Sequence, residues 1–334
     1  MKENQLSRYG AIAKTLPFTS GKIFFVVNGN DSWAGEVLNE FPPDRDGVPR
    51  VYVTGSGNSD TTDTQDVAIQ AALDACVAGR NDYVLIMPSA YDYNISTTLT
   101  MTKRSVHLIA PAGITYERGS NNSTKMHLIT TGLPMITVTG DNCEVAGFYM
   151  KNYYNGTNPC GQHILLGAGS TGCTVRYNHF VVRPANATNT AVVEGTTTGA
   201  GYARIENNWF ESQASGAYTI PAYVTCATGA THLRVCNNDM EASQGNIVTT
   251  AIAVNQFGLA ANNWIIAVCA NPSQATLAGT ITTGITLADS AVAIENNFCN
   301  CTANFSGGTA SKCFSNNHSA LTGANGGYAA NLEA

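Results

Sequence analysis

The sequence predicts an all-β solenoid, a coil of short parallel strands stacked along one axis. Three observations lead there: a composition poor in charge, segments that recur at a fixed interval, and a pair of amides closing most recurrences. Of 334 residues, 44% are hydrophobic and 12% charged, with 32 Gly. Helical proteins lean on Glu, Lys and Arg, whereas β-rich chains accommodate Thr, Val, Asn and Gly. The interval is thirty residues: Val145, Val175, Ile205 and Val235 share one register, and Met150, Phe180, Phe210 and Met240 share another. Past Met240 the amide pairs follow at steps of 25, 34 and 20 residues, at Asn262–Asn263, Asn296–Asn297 and Asn316–Asn317. Stacked strands with loops of variable length produce this loosening. A unit this short cannot bury its own apolar face, so it is stable only against copies of itself.

In chain order, residues 1–20 read as a polar arm, with Lys2, Arg8, Tyr9 and Lys14 available to grip a partner surface. No apolar h-region is present there, so no signal peptide is expected. "GKIFFVVNG" reads as a strand, "SWAGEVLNEF" as a short helix and "RVYVTG" as a second strand. Asp44 and Asp46 lie in "PPDRDGVP", whose Pro, Arg and Gly read as an ordinary turn rather than a calcium loop. "TQDVAIQAALDACVAG" is a helix, with Val67, Ala68, Ala71, Ala72 and Ala75 on its apolar face. Asp63 or Thr64 caps its start and Gly79 ends it. Directly before the first coil, this helix is placed to cover the solenoid's N-terminal end, where unpaired strand edges invite aggregation. The division is therefore an arm (1–20), a cap region of strands and helix (21–82), a solenoid (83–320) and a tail (321–334). At a strand spacing near 4.8 Å, about eight to ten coils make a rod of about 40 to 50 Å.

The repeated amides are explained by the corners. A sharp turn between strands needs a residue that accepts the left-handed backbone region, and Asn does so better than other non-glycine residues. Stacked Asn side chains also hydrogen-bond amide to amide. The expected corner column is Asn178, Asn208, Asn238, Asn263, Asn297 and Asn317. The column before it is Asn207, Asn237, Asn262, Asn296 and Asn316, with Tyr177 as its exception.

A net charge of −6 without a Lys/Arg cluster excludes a nucleic-acid binder. Twelve of the 17 Lys and Arg lie at or before Lys151, which gives the N-terminal part a different job. No apolar run has the length of a membrane span. The ten cysteines read as small buried thiols, since Cys299 and Cys301 form C-x-C and not the paired C-x-x-C of a zinc site. The six histidines are dispersed without metal-ligand spacing. No metal and no cofactor are expected.

A capping helix, then "YVLIMPSAYDYN", then Asn-cornered coils resembles the pectin-lyase-like right-handed parallel β-helix over about residues 60–320. The resemblance implies a single-stranded right-handed parallel β-helix. That fold serves lyases, hydrolases, adhesins and phage tailspikes, so it leaves function open. The N-terminal stretches "GKIFFVVNGN", "FPPDRDGVPRVYVT" and "ALDACVAGRNDYVLIMPSAY" are similar to tailed-bacteriophage proteins that place such a β-helix on the virion. This second resemblance implies a virion location, docking onto the major capsid protein or another virion protein, and a homotrimer. The leading expectation is a non-enzymatic capsid decoration, cement or fibre-like protein. The alternatives are a tailspike-like depolymerase of host surface polysaccharide and a glycan-binding adhesin.

A hydrolase of this fold carries Asn-Thr-Asp, Asp-Asp and Gly-His-Gly, and this sequence has none of them. Glycoside cleavage needs two carboxyls across one bond, and Glu194, Glu206, Glu211, Asp239, Glu241 and Glu295 are scattered through the repeats. Arg176, Glu206, Cys236 and Glu295 share an outward column, which makes Arg176 and Glu206 neighbours; Arg204 and Arg234 share another. This reads either as a solvent-facing Arg–Glu ladder, which stabilises little, or as a cleft with Arg176 as base. Glu211 and Glu241 are the best like-charge pair for a raised pKa or a metal. Tyr153 and Tyr154 either stack on a sugar or pack a lateral loop against a neighbouring subunit.

Overall fold

The computed structural model describes residues 21–55, 65–111, 124–130, 132–152, 161–182, 191–196, 200–212, 219–226, 230–242, 246–254, 258–267, 279–287, 293–295, 297–301, 303–306, 313–315 and 318–319. The expected docking residues Lys2, Arg8, Tyr9 and Lys14, the pair Tyr153 and Tyr154, and Asn317 lie outside them.

The chain winds through three sheets in turn. Strands β3 (Asp82–Ile86), β4 (Tyr93–Ile95) and β5 (Leu99–Met101) each start a different face, and every later coil adds one strand to each face. Among the described residues sheet A has 11 strands, sheet B nine and sheet C eight, all paired in parallel. This is a parallel β-helix. The thirty-residue register holds: Val145, Val175, Ile205 and Val235 pair in sequence along sheet A, and Met150, Phe180, Phe210 and Met240 along sheet B. All eight are buried, and Phe180 stacks on Phe210 with ring centroids 4.8 Å apart. Each side chain so enclosed contributes about 1.5–3 kcal/mol, and the neighbouring coils supply much of the enclosure.

Sheet A continues past the first coil. Strand β1 (Ile23–Val27) pairs with β3, and β2 (Val51–Val53) pairs with β1. Helix α1 (Ala34–Glu40) closes a small second core of Phe25, Val27, Val37, Val51, Leu85 and Met87. Asp44 Oδ1 accepts the amides of Asp46 and Val48, and its carboxylate pairs with Lys22, which makes the Asp44 segment a closed turn. Asp82, fully buried at the start of β3, accepts hydrogen bonds from Nε and Nη2 of Arg80 and from the Val77 and Lys22 amides, each at 2.7 Å.

Helix α2 (Asp66–Ala75) packs against β1 to β5, as a cap should; of its expected face Ala72 is buried and Ala68 and Ala75 pack partly buried against the core, but Val67 and Ala71 do not. Ile69, Ala72, Leu73 and Cys76 point into the core, while Val67 is 74% exposed and Ala71 is exposed. Polar clamps set the rotation. Asp66 Oδ2 accepts the Ser96 amide, the Ser96 hydroxyl and the Thr97 amide, and Gln70 Oε1 accepts the Thr100 amide. These bonds tie one helical face to the first coil and turn Val67 to solvent. The N-cap is Gln65, with Asp63 and Thr64 outside the described residues; Gly79, at φ +76°, sits in the turn beyond the helix.

The corner is also corrected by one residue. Positive φ falls at Gly147, Tyr177, Asn207, Asn237 and Asn262, at 87°, 54°, 56°, 56° and 54°. The expected corner residues Asn178, Asn208, Asn238, Asn263 and Asn297 follow it and are buried. Each of the first four donates Nδ2 to the Oδ1 of the next, at 3.2, 3.0, 3.0 and 2.9 Å. Each Nδ2 also donates to a carbonyl of the preceding coil: Val145, Val175, Ile205 and Val235, and Ala260 for Asn297. The two functions assigned to one amide are divided between two. The outward residue takes the left-handed bend, and the inward residue, turned into the coil by that bend, builds the ladder.

Among the described residues Cys76, Cys143, Cys173, Cys226, Cys236, Cys299 and Cys301 are free, all but Cys236 buried. Burial pushes the Cys76 and Cys226 thiols up to about 12, so they stay protonated. Among the described residues no helix is long and apolar enough to cross a membrane, and no group of three or more His, Cys, Asp or Glu could hold a metal ion.

Candidate functional site

The strands of sheet B that carry an inward Met or Phe are three or four residues long, so the side chains flanking that residue point outward. One flanking column runs Tyr149, His179, Trp209, Asp239, Trp264 by direct pairing from coil to coil. His179 stacks on Trp209 at 4.0 Å and meets the Tyr149 ring edge-on at 4.8 Å. Lys151 lies over the Tyr149 ring and donates to Asp92 at 2.9 Å. The column opens along the rod. His179 is buried, Trp209 half-buried, Asp239 exposed and Trp264 48% exposed.

The other flanking column holds Glu211 and Glu241, which are direct partners on adjacent coils, as their spacing predicts. Their environments differ. Glu211 is 1% exposed and bonds His179 Nε2 at 3.1 Å, while Glu241 is half-buried. Behind them the Tyr223 hydroxyl donates to the Glu241 carbonyl, and burial raises that phenol well above its ordinary value. Chemically, this face offers two indole surfaces two coils apart, about 10 Å, with an exposed carboxylate between them. Flat apolar surfaces beside hydrogen-bonding groups match the alternating faces and hydroxyls of a sugar chain.

Arg176 and Glu206 sit on sheet A and are direct partners in register, but they do not form the expected pair. The Arg176 guanidinium turns back to Glu144, whose other oxygen takes His107 Nδ1 at 3.1 Å; His107 in turn stacks on Tyr83. Burial would raise the Glu144 carboxyl, but the His107 and Arg176 bonds outweigh it and hold it below the ordinary range. Arg176 is thereby a bound cation and not a free base. The four residues considered for cleavage also fail to converge. Arg176 and Glu206 lie on sheet A, Glu211 and Glu241 on sheet B, because the bend at Asn207–Asn208 sends residues five apart to different faces. Glu194 lies on sheet C, bonded to Gln162, and Glu295 on sheet A.

Sequence reasoning missed Tyr149, His179, Trp209 and Trp264. The signal was present: they precede Met150, Phe180, Phe210 and Ile265 by one residue and follow the same register.

No protein-family model matches the chain, and no curated protein sequence matches it. Solved structures do align with it. The ORF18 protein of Geobacillus virus E2 is 12% identical, over 90% of this chain and 74% of its own, with TM-score 0.31. The Dettilon tailspike protein is 11% identical, over 86% of this chain and 59% of its own, with TM-score 0.42. The tailspike protein of the E. coli bacteriophage HK620, as a mutant in complex with a pentasaccharide, is 15% identical, over 85% of this chain and 66% of its own, with TM-score 0.36. Similarity at this level assigns neither a residue nor a role.

Proposed function

We propose that this protein is a β-helix component of a tailed-bacteriophage particle that binds a polysaccharide along the outer face of sheet B. The observation that carries the binding reading is the stretch of the outward column from Tyr149 to Trp264, in which the exposed carboxylate of Asp239 is followed by the exposed indole of Trp264. Exposed aromatics of this size are costly to leave in water and are the side chains on which binding energy concentrates. The virion setting rests on the resemblance of the N-terminal stretches to phage proteins. With it come docking of residues 1–20 onto another virion protein and assembly as a homotrimer. The trimer is tested by the mass of the purified protein in light scattering. The capsid-decoration reading depends on the arm and draws no support from the described residues.

Binding is favoured over cleavage because Glu211 is enclosed and bonded to His179, and the other two outward carboxyls of this face, Asp239 and Glu241, lie on one strand rather than facing each other across a glycosidic bond. The test is isothermal titration with O-antigen and capsular polysaccharides of candidate host bacteria. Trp264→Ala and Trp209→Ala should each weaken binding about tenfold or more, equivalent to about 1.4 kcal/mol. Glu211→Gln should leave no cleavage to lose. Wild-type affinity in the Trp209→Ala, Trp264→Ala double variant would remove sheet B from the account. Release of reducing ends that stops in Glu211→Gln would replace binding with catalysis.

A further inference from the structure

A second face carries its own recognition chemistry. On sheet A, Arg204 and Arg234 are direct partners on adjacent coils, both exposed, and neither guanidinium has an ion pair or side-chain hydrogen bond among the described residues. Two like charges held one strand spacing apart repel each other. The nearest carboxylate on the strand, Glu206, forms no ion pair with either. Two residues before each arginine the chain bends through the left-handed region, at Tyr202 (φ 58°) and His232 (φ 61°). The two rings stack at 4.4 Å, with Tyr202 58% exposed.

The preceding coils show what this corner ordinarily needs. Their bends are Asn142 and Gly172, followed two residues on by Glu144 and Thr174. Asn and Gly take positive φ at small cost and His at moderate cost, whereas a tyrosine there, as at Tyr202 and at Tyr177 of the other corner, is strained. Strain of this kind collects where a side chain serves a ligand. Here the change from Asn or Gly to an aromatic coincides, on both coils, with the change from Glu or Thr to an unpaired Arg. The ring stack offsets part of the backbone cost, but it gives no stabilising role to the two adjacent arginines.

We infer that Tyr202, His232, Arg204 and Arg234 form a binding site for a carboxylated sugar unit. The two guanidinium groups hold the carboxylate in forked hydrogen bonds, and the exposed Tyr202 ring stacks against the sugar. The site is on a different face from Trp209 and Trp264 and stands or falls independently of them.

The full-length protein is titrated with polygalacturonate, polysialic acid, dextran sulfate and neutral dextran. The inference expects a carboxylated polymer to bind more tightly than dextran sulfate of equal charge density, and neutral dextran not to bind. Arg204→Ala combined with Arg234→Ala should weaken that binding at least tenfold. Tyr202→Gly should weaken it severalfold while raising the melting temperature, because glycine relieves the backbone and a merely structural tyrosine would not move affinity. Preference for dextran sulfate, or Tyr202→Gly binding as the parent does, would reduce the site to a non-specific cationic patch and overturn the inference. Failure of both carboxylated polymers to bind would overturn it as well.

Discussion

Asn208→Gly should destabilise the protein by about 3 kcal/mol, and Asn207→Gly, one residue earlier, by no more than a few tenths. The two residues are both asparagine, adjacent and at the same corner, yet they are held by different physics. Asn207 sits at φ 56° and is half-buried, so glycine reproduces its backbone without strain. Asn208 is 2% exposed, and its Oδ1 takes both the amide and the Nδ2 of Asn178 while its Nδ2 reaches Val175 O and Asn238 Oδ1. Truncating it strands the Asn178 amide in the core, and each buried group left unsatisfied costs about 1–3 kcal/mol. Asn207→Val should reverse the pattern at its own position, costing about 1–2 kcal/mol through the left-handed backbone alone. Denaturant melts of the three variants measure this. Equal losses for the two glycine variants would contradict the division between bend and ladder.

Asp82→Ala should cost about 3–5 kcal/mol, because it leaves the Arg80 charge and the Val77 and Lys22 amides facing an empty pocket. The same residue sets a pH dependence. Burial would raise the Asp82 carboxyl, but the Arg80 fork and the two amides outweigh it and hold it below the ordinary range. A folded value below the unfolded one means that its stabilisation is complete above about pH 4 and is lost as pH falls through the folded value. Glu144, lowered by His107 and Arg176, acts in the same direction. The melting temperature should therefore decline as pH falls below about 4, and Asp82→Asn should flatten that decline. A variant as acid-sensitive as the parent would show that the cluster around Asp82 does not govern acid unfolding.

Much of the coil was readable because a solenoid repeats its constraint. Val145, Val175, Ile205 and Val235 occupy equivalent environments, so four residues report one fact and the register emerges from spacing alone. The position of the bend within the amide pair was not readable, since both members are asparagine. Only Gly147 and Tyr177, the unlike members of the outer column, distinguish it from the inner one. The helix face was misjudged for another reason. Counting apolar spacing cannot register that Asp66 and Gln70 bond the first coil and turn Val67 outward. The candidate cleavage residues failed as a set because linear proximity across a corner is not spatial proximity: Glu206 and Glu211 leave the same bend on different sheets. The aromatic column was hidden by its mixture, as tyrosine, histidine, tryptophan and aspartate do not look alike until the pairing places them in line.

The most direct test of sheet B as a glycan-binding face is intrinsic fluorescence. The chain has three tryptophans; two are in the outer column and the third, Trp33, precedes α1. During titration with the O-antigen and capsular polysaccharides of candidate hosts, the account predicts a saturable shift of indole emission. That shift should persist in Trp33→Phe and disappear when Trp209 and Trp264 are both replaced by Phe. A panel that produces no saturable change, or a change that survives the double replacement, would contradict the claim that sheet B is where the polysaccharide lies.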